Sequence, residues 1–210
     1  LIQAKLAQLF PETSDALPTT LVSTLLERAE GNPFYLEELL NYLRDQGINL
    51  HDTRALKTLE LPSSLHTLIL SRIDQLSEEQ KATLKAASII GRLFKVAWLH
   101  GYYPLLGNME RVKDELDTLS QLELTPLDTP EPELSYLFKH IVTREVTYES
   151  LPYATRSRLH EQLAQFIEGL GGDSYLDLLA YHYGLTENRD KQREYFPKAD
   201  EAAYAAFAND

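Results

Sequence analysis

The sequence predicts a mainly α-helical fold that carries one small β-hairpin. Apolar residues recur at helical spacing in several places. Leu21, Val22, Leu25, Leu26 and Ala29 share one face, and Met109, Val112, Leu116, Leu119 and Leu122 form a second stripe. Alternation with a period of two occurs at Leu134, Tyr136 and Phe138, on the far side of the Pro-rich link Asp128-Thr129-Pro130-Glu131-Pro132. Glycine and proline punctuate the helical segments where caps and corners are needed.

In chain order, the first helical face ends at Gly31-Asn32-Pro33. Asn32 suits an N-cap and Pro33 the first position of a new helix. Phe34, Leu36, Leu39, Leu40 and Leu43 give that helix a broad apolar side, and Gly47 ends it. Residues 48–60 read as a connector. Leu61-Pro62-Ser63 opens a new block, with helices expected over 64–76, 78–90, 95–103 and 109–121. Ser77 with Gln80 is a capping-box candidate. A hairpin is expected from strands over 123–127 and 133–138. Helices followed by a hairpin is the order of a winged-helix domain, a variant of helix-turn-helix. Two more helices are expected over 140–151 and 152–169, interrupted at Gly169 to Gly172. Residues 174–208 read as a helical hairpin with its turn at Thr186 to Asp190, and Pro197 should start its last helix or kink it.

Bulk properties narrow the function classes. The chain has 210 residues and a net charge of −12, so its surface repels phosphate backbones and anionic lipids. It has no cysteine, which excludes disulfides and thiolate metal sites and fits a reducing, cytoplasmic setting. No apolar run reaches membrane-spanning length. The chain opens on Leu1 and has one methionine, Met109, which leads to the expectation that it starts inside a longer reading frame.

Three stretches carry a family resemblance: ERAEGNPFYLEELL at 27–40, LPSSLHTLILSRIDQLSEEQKATLKAASIIGRLF at 61–94, and LFKHIVTREVTYESLPYATRSRLHEQLA at 137–164. Together they resemble the region that follows the nucleotide-binding core of STAND ATPases, the signal-transduction ATPases with numerous domains. The nearest variety is the predicted-ATPase module found beside bacterial class III nucleotide cyclases and some transcription activators. The resemblance implies a helical lid subdomain over 1–60, a winged-helix domain over 61–139, connecting helices over 140–172, and the start of tetratricopeptide-like repeats over 173–210. The final hairpin matches such a repeat at Leu179, Ala180, Tyr183, Phe196 and Ala199, while Gln192 stands where a small residue is expected. A single repeat cannot bury its own face, so more are expected to follow.

The same resemblance implies the candidate sites. In the family a lid proline packs near the adenine of a nucleotide held by the core. Here that role falls to Pro33, with Gly31 permitting the turn. An ordinary helix–helix corner uses the same residues. A winged-helix histidine in related switch ATPases touches the β-phosphate of bound ADP. Its counterpart is His140, followed here by Ile141 where some relatives have Asp. A capping or locally hydrogen-bonded histidine is the alternative. Both sites need ATP or ADP in an upstream core of the same protein. That core is missing, since no G-x-x-x-x-G-K-[ST] loop occurs in the chain. The chain alone is therefore expected to be no enzyme and to hold no cofactor.

Other patterns carry less. Arg144 and Glu145 read as a solvated helix face. His160-Glu161 begins a metalloprotease-like pattern but continues to Ala164 rather than a second histidine. His51, His66, His100 and His182 show no ligand spacing. The expected recognition helix sets Arg111 and Lys113 against Glu110, Asp114, Glu115 and Asp117, which disfavours the alternative of a DNA-binding regulator. The leading expectation is a regulatory, protein-interacting segment that couples an upstream ATPase core to an effector through C-terminal repeats. Tyr175, Tyr181, Tyr183, Tyr195 and Tyr204 mark either that surface or interhelical packing.

Overall fold

In a computed structural model, residues 19–48 and 61–207 are described. The expected connector over 49–60 and its His51, the opening of the expected lid segment at 1–18, and residues 208–210 lie outside them. Helix α1 spans Thr19–Ala29 and buries Leu21, Leu25 and Ala29, while Leu26 on its expected apolar face stays exposed. Glu30 and Gly31 then take positive φ, and α2 runs over Pro33–Asp45 with Asn32 as its N-cap. Gly47, at φ +63, donates its N–H to the Arg44 carbonyl and closes α2. Helix α3, Leu65–Asp74, packs on α2 and is capped by Ser64. Leu25, Leu36, Leu39, Leu40, Leu43 and Leu68 form the centre of this first unit.

The chain divides after Leu76 into two units. Helix α3, grouped by sequence with the helices after it, therefore belongs with α1 and α2. The second unit starts with α4, Glu78–Ile90, whose N-terminus carries the expected capping box between Ser77 and Gln80. Strand β1 (Leu93–Lys95), α5 (Val96–Tyr102), a 3₁₀ turn (Pro104–Leu106) and α6 (Met109–Gln121) follow. Strands β2 (Leu127–Thr129) and β3 (Ser135–Leu137) form the expected hairpin, later and shorter than its sequence suggests. Strand β3 lies between β1 and β2 in a three-stranded antiparallel sheet, with Phe94 opposite Tyr136. The sheet turns Phe94, Tyr136 and Phe138 inward, and Val112, Leu116 and Leu119 of α6 are equally buried.

Helices α7 (Ile141–Glu149) and α8 (Tyr153–Gly169) follow the sheet, and both pack on α4. A 3₁₀ turn over Gly172–Tyr175 leads into α9 (Leu176–Gly184), which lies against α8 and against α10 (Arg189–Phe207). Helix α10 contains Pro197 in its interior, so of the two expected outcomes, a start near that residue or a kink at it, the start is corrected. Phe196 is about half-exposed, with the edge of its ring beside Gly184 of α9. Gln192 is buried because its side-chain amide donates to the carbonyls of Tyr183 and Thr186, at 3.0 and 2.9 Å. Those carbonyls lie at the end of α9, where helix acceptors lack intrahelical donors. Among the described residues, no helix is long and apolar enough to cross a membrane.

Candidate functional site

The Gly31-Asn32-Pro33 corner is built by capping. The Asn32 side-chain oxygen accepts from the N–H groups of Phe34 and Tyr35, at 3.0 and 3.3 Å. Gly31 sits at φ +79, a conformation that side chains with a Cβ disfavour. A Cβ there would meet nothing within 4 Å, so the glycine serves the turn rather than a close approach. Pro33 is exposed at the first position of α2. Beside the corner, an open cleft is lined by Thr24, Glu27, Arg28, Glu30, Tyr35 and the Ser63–Leu65 segment. Tyr35 spans it, donating its hydroxyl to the Pro62 carbonyl at 2.9 Å.

The same unit holds an ion network that sequence reasoning missed. Arg72, on α3, places Nη1 2.5 Å from Glu38 Oε2 and Nε 2.9 Å from Asp45 Oδ2. The Arg72 and Glu38 side chains are each 1% exposed. Both residues sit on helices whose charged positions read as solvent-facing, and 34 positions separate them.

His140 sits in the second unit as the N-cap residue of α7, half-buried, at φ −126 and ψ 139. Its side chain makes no capping hydrogen bond, while its carbonyl accepts from Thr143 and Arg144. Capping by the imidazole is therefore set aside. Arg144 is also not a solvated residue. Its Nε donates to the Ser88 carbonyl of α4 at 2.8 Å, and its guanidinium lies over the Tyr148 ring. Glu145, by contrast, is exposed as expected.

A buried polar cluster lies where α7, α8 and α9 meet. His160 is fully buried and His182 is 1% exposed. Their Nδ1 atoms are 2.9 Å apart, and the Tyr148 hydroxyl is 2.9 Å from His160 Nε2. Arg144 and Arg156 both place a guanidinium 4.9 Å from the centre of the Tyr148 ring. Burial above all, and then the neighbouring His182, Arg144 and Arg156, pushes His160 down to about 3. Burial and Arg144 push His182 down to about 4. Sequence spacing could not reveal this pair, since its members are 22 positions apart on different helices. The nearest signal was weak: both histidines fall within apolar helical segments.

A second node ties α10 to α8. Glu168 accepts from Lys191 Nζ and from the Tyr195 hydroxyl, each at 2.6 Å, and Tyr195 stacks on Tyr183 at 5.4 Å. Of the tyrosines picked out by sequence, Tyr183 and Tyr195 thus pack between helices, while Tyr181 and Tyr204 remain exposed. Among the described residues, no group of three or more His, Cys, Asp or Glu is placed to hold a metal ion. No protein-family model matches this chain, and no curated protein does.

Proposed function

We propose that this chain is the regulatory, protein-interacting segment of a signal-transduction ATPase of the STAND type. The observation that supports it most is the element order in the second unit. A helix, a strand, two helices and a β-hairpin build a three-stranded antiparallel sheet, and helical pairs follow. That is the order of a winged helix leading into tetratricopeptide-like repeats, on the family resemblance of 137–164. The capped corner at Gly31, Asn32 and Pro33 supports a lid ahead of it. On this reading the chain works in the cytoplasm. Pro33 supplies an apolar wall for adenine, and His140 supplies a donor toward a β-phosphate. An upstream core of the same protein supplies the phosphate loop, and the C-terminal helices engage an effector. Closed and open forms then differ in their affinity for ADP, and that difference sets the output.

A DNA-binding winged helix is the second reading, supported by the same element order. It is weakened by α6, whose two cations already have carboxylate partners. Arg111 pairs with Glu79 at 3.3 Å, and Lys113 pairs with Glu131.

Calorimetry and nucleotide release test the first reading. The chain alone should give no heat with ATP or ADP. In a protein that joins this chain to its phosphate-loop core, His140→Ala should speed ADP release and raise basal output, and Arg111→Ala should leave both unchanged. Binding of ATP by the chain alone with an affinity of about 1 μM would overturn it.

A further inference from the structure

We propose that the His160–His182 contact is an acid-sensitive latch, which holds α9 against α8 at neutral pH and releases it when the two imidazoles take up protons. The contact stands on geometry. A hydrogen bond between two ring nitrogens uses one proton, so one ring donates and the other must accept in its neutral form. Here the nitrogens are the two Nδ1 atoms, 2.9 Å apart, with ring centres 5.1 Å apart. His160 is engaged on both sides, because Tyr148 occupies its Nε2. Two arrangements satisfy the chain of three groups. Tyr148 donates to His160 and His160 to His182, or both bonds run the other way. Each leaves both imidazoles neutral. Two protonated rings would set N–H against N–H at the same distance, and the contact could not survive.

The surroundings oppose even the first proton. Helix α7 presents Arg144 and Tyr148 to the pair, α8 presents Arg156, and α9 presents Tyr181 edge-on to both rings. The formal charges acting on the pair are both positive, and the Arg144 guanidinium is tied in place by the Ser88 carbonyl of α4. Burial then removes the water that would otherwise stabilise an imidazolium. Protons therefore bind more tightly once α9 has moved and the rings are wet.

Both histidines titrate below the ordinary value near 6.5 while docked, to about 3 and about 4. The undocked form holds more protons between those limits, so docking is complete above about pH 6.5 and weakens as pH falls. At about pH 5 each ring favours the undocked form by roughly 30-fold over its neutral-pH balance. The hinge is at hand. Helix α8 ends at Gly169, Gly171 sits at φ +107, and a 3₁₀ turn precedes α9. A separate link ties α8 to α10 rather than to α9. Burial pushes the Glu168 carboxyl up, but hydrogen bonds from Lys191 and Tyr195 outweigh it and hold the group below its usual range.

The test uses the whole chain. Hydrogen exchange, expressed as protection factors, reports α9 at about pH 7.5 and about pH 5. Trp98, the single tryptophan, adds an optical signal, since its ring meets Tyr175 edge-on at 5.6 Å just before α9. Protection over 176–184 should fall at least tenfold at the lower pH, with a matching change in Trp98 emission and an onset below about pH 6.5. His160→Gln with His182→Gln replaces both rings by amides that cannot take up a proton, and should abolish that dependence. Should the double variant fail to fold, proton NMR of the unaltered chain decides. Two imidazoles that stay neutral until α9 loses protection support the latch. Unchanged protection at about pH 5, an equal loss in the double variant, or two rings titrating near 6.5 with α9 still protected would overturn it.

Discussion

At the scale of single residues, the informative side chains are those whose chemistry and burial conflict. Arg72 is a cation with 1% of its side chain exposed, held by Glu38 and Asp45. Removing one partner of a buried pair leaves the other charged and dry, at a cost of about 3–5 kcal/mol. Replacing both partners with apolar residues of similar volume is often neutral. Arg72→Ala should therefore cost the first unit most of its stability. Arg72→Met combined with Glu38→Leu should recover much of it, with Asp45 still satisfied by Arg44 at 2.9 Å. Thermal unfolding followed by circular dichroism measures both, and a double variant no better than Arg72→Ala would count against the network. Neither Glu38 nor Arg72 was legible in the sequence. A charged residue on an amphipathic helix reads as exposed unless its distant partner is known. The same blindness hid His160 and His182. Asn32, Pro33 and Ser77 were legible, because a cap acts on backbone groups two or three residues away.

Elements were readable to the degree that their signals were local and long. Helix α4 matches its expected bounds, because a capping box fixes one end and Gly91 follows the other. Strand β1 escaped notice, since three residues with one buried position give no period to count. It exists because Phe94 packs beneath the sheet opposite Tyr136, a contact that sequence separation conceals. Helix α10 shows tertiary packing overriding a local rule. Pro197 lacks an N–H and crowds the preceding turn, yet the helix continues from Arg189 to Phe207. Tyr195 and Gln192, buried against α8 and α9, hold the first half in place. Pro197→Ala should restore the missing bond to the carbonyl one turn earlier, stabilising α10 by up to about 3 kcal/mol. Slower hydrogen exchange over 197–207 would show it. Unchanged exchange there would mean that the helix is not continuous in solution.

At the scale of the whole molecule, charge decides between uses of one architecture. A helix ahead of a β-hairpin can enter a DNA groove, and its exposed face must then neutralise phosphates. Helix α6 offers Arg111 and Lys113 on a half-acidic surface, within a chain of net charge −12. Its cations are also engaged: Arg111 forms an ion pair with Glu79, and Lys113 donates to Glu131 of the hairpin. Exposed pairs of this kind are weak, so phosphates could in principle compete for the cations. Competition would still leave Glu110, Asp114 and Asp117 exposed and facing the same backbone. No duplex shift is therefore expected in a gel assay even at about 50 mM salt, where phosphate contacts are strongest. Glu79→Gln and Glu131→Gln together free both cations and remove two negative charges. If the face were a nucleic-acid surface held in check by those pairs, that variant would bind DNA with a steep salt dependence. If the winged element serves the ATPase switch rather than DNA, that variant should stay unshifted. A shift by the unaltered chain that weakens with added salt would reverse the ranking of the two readings.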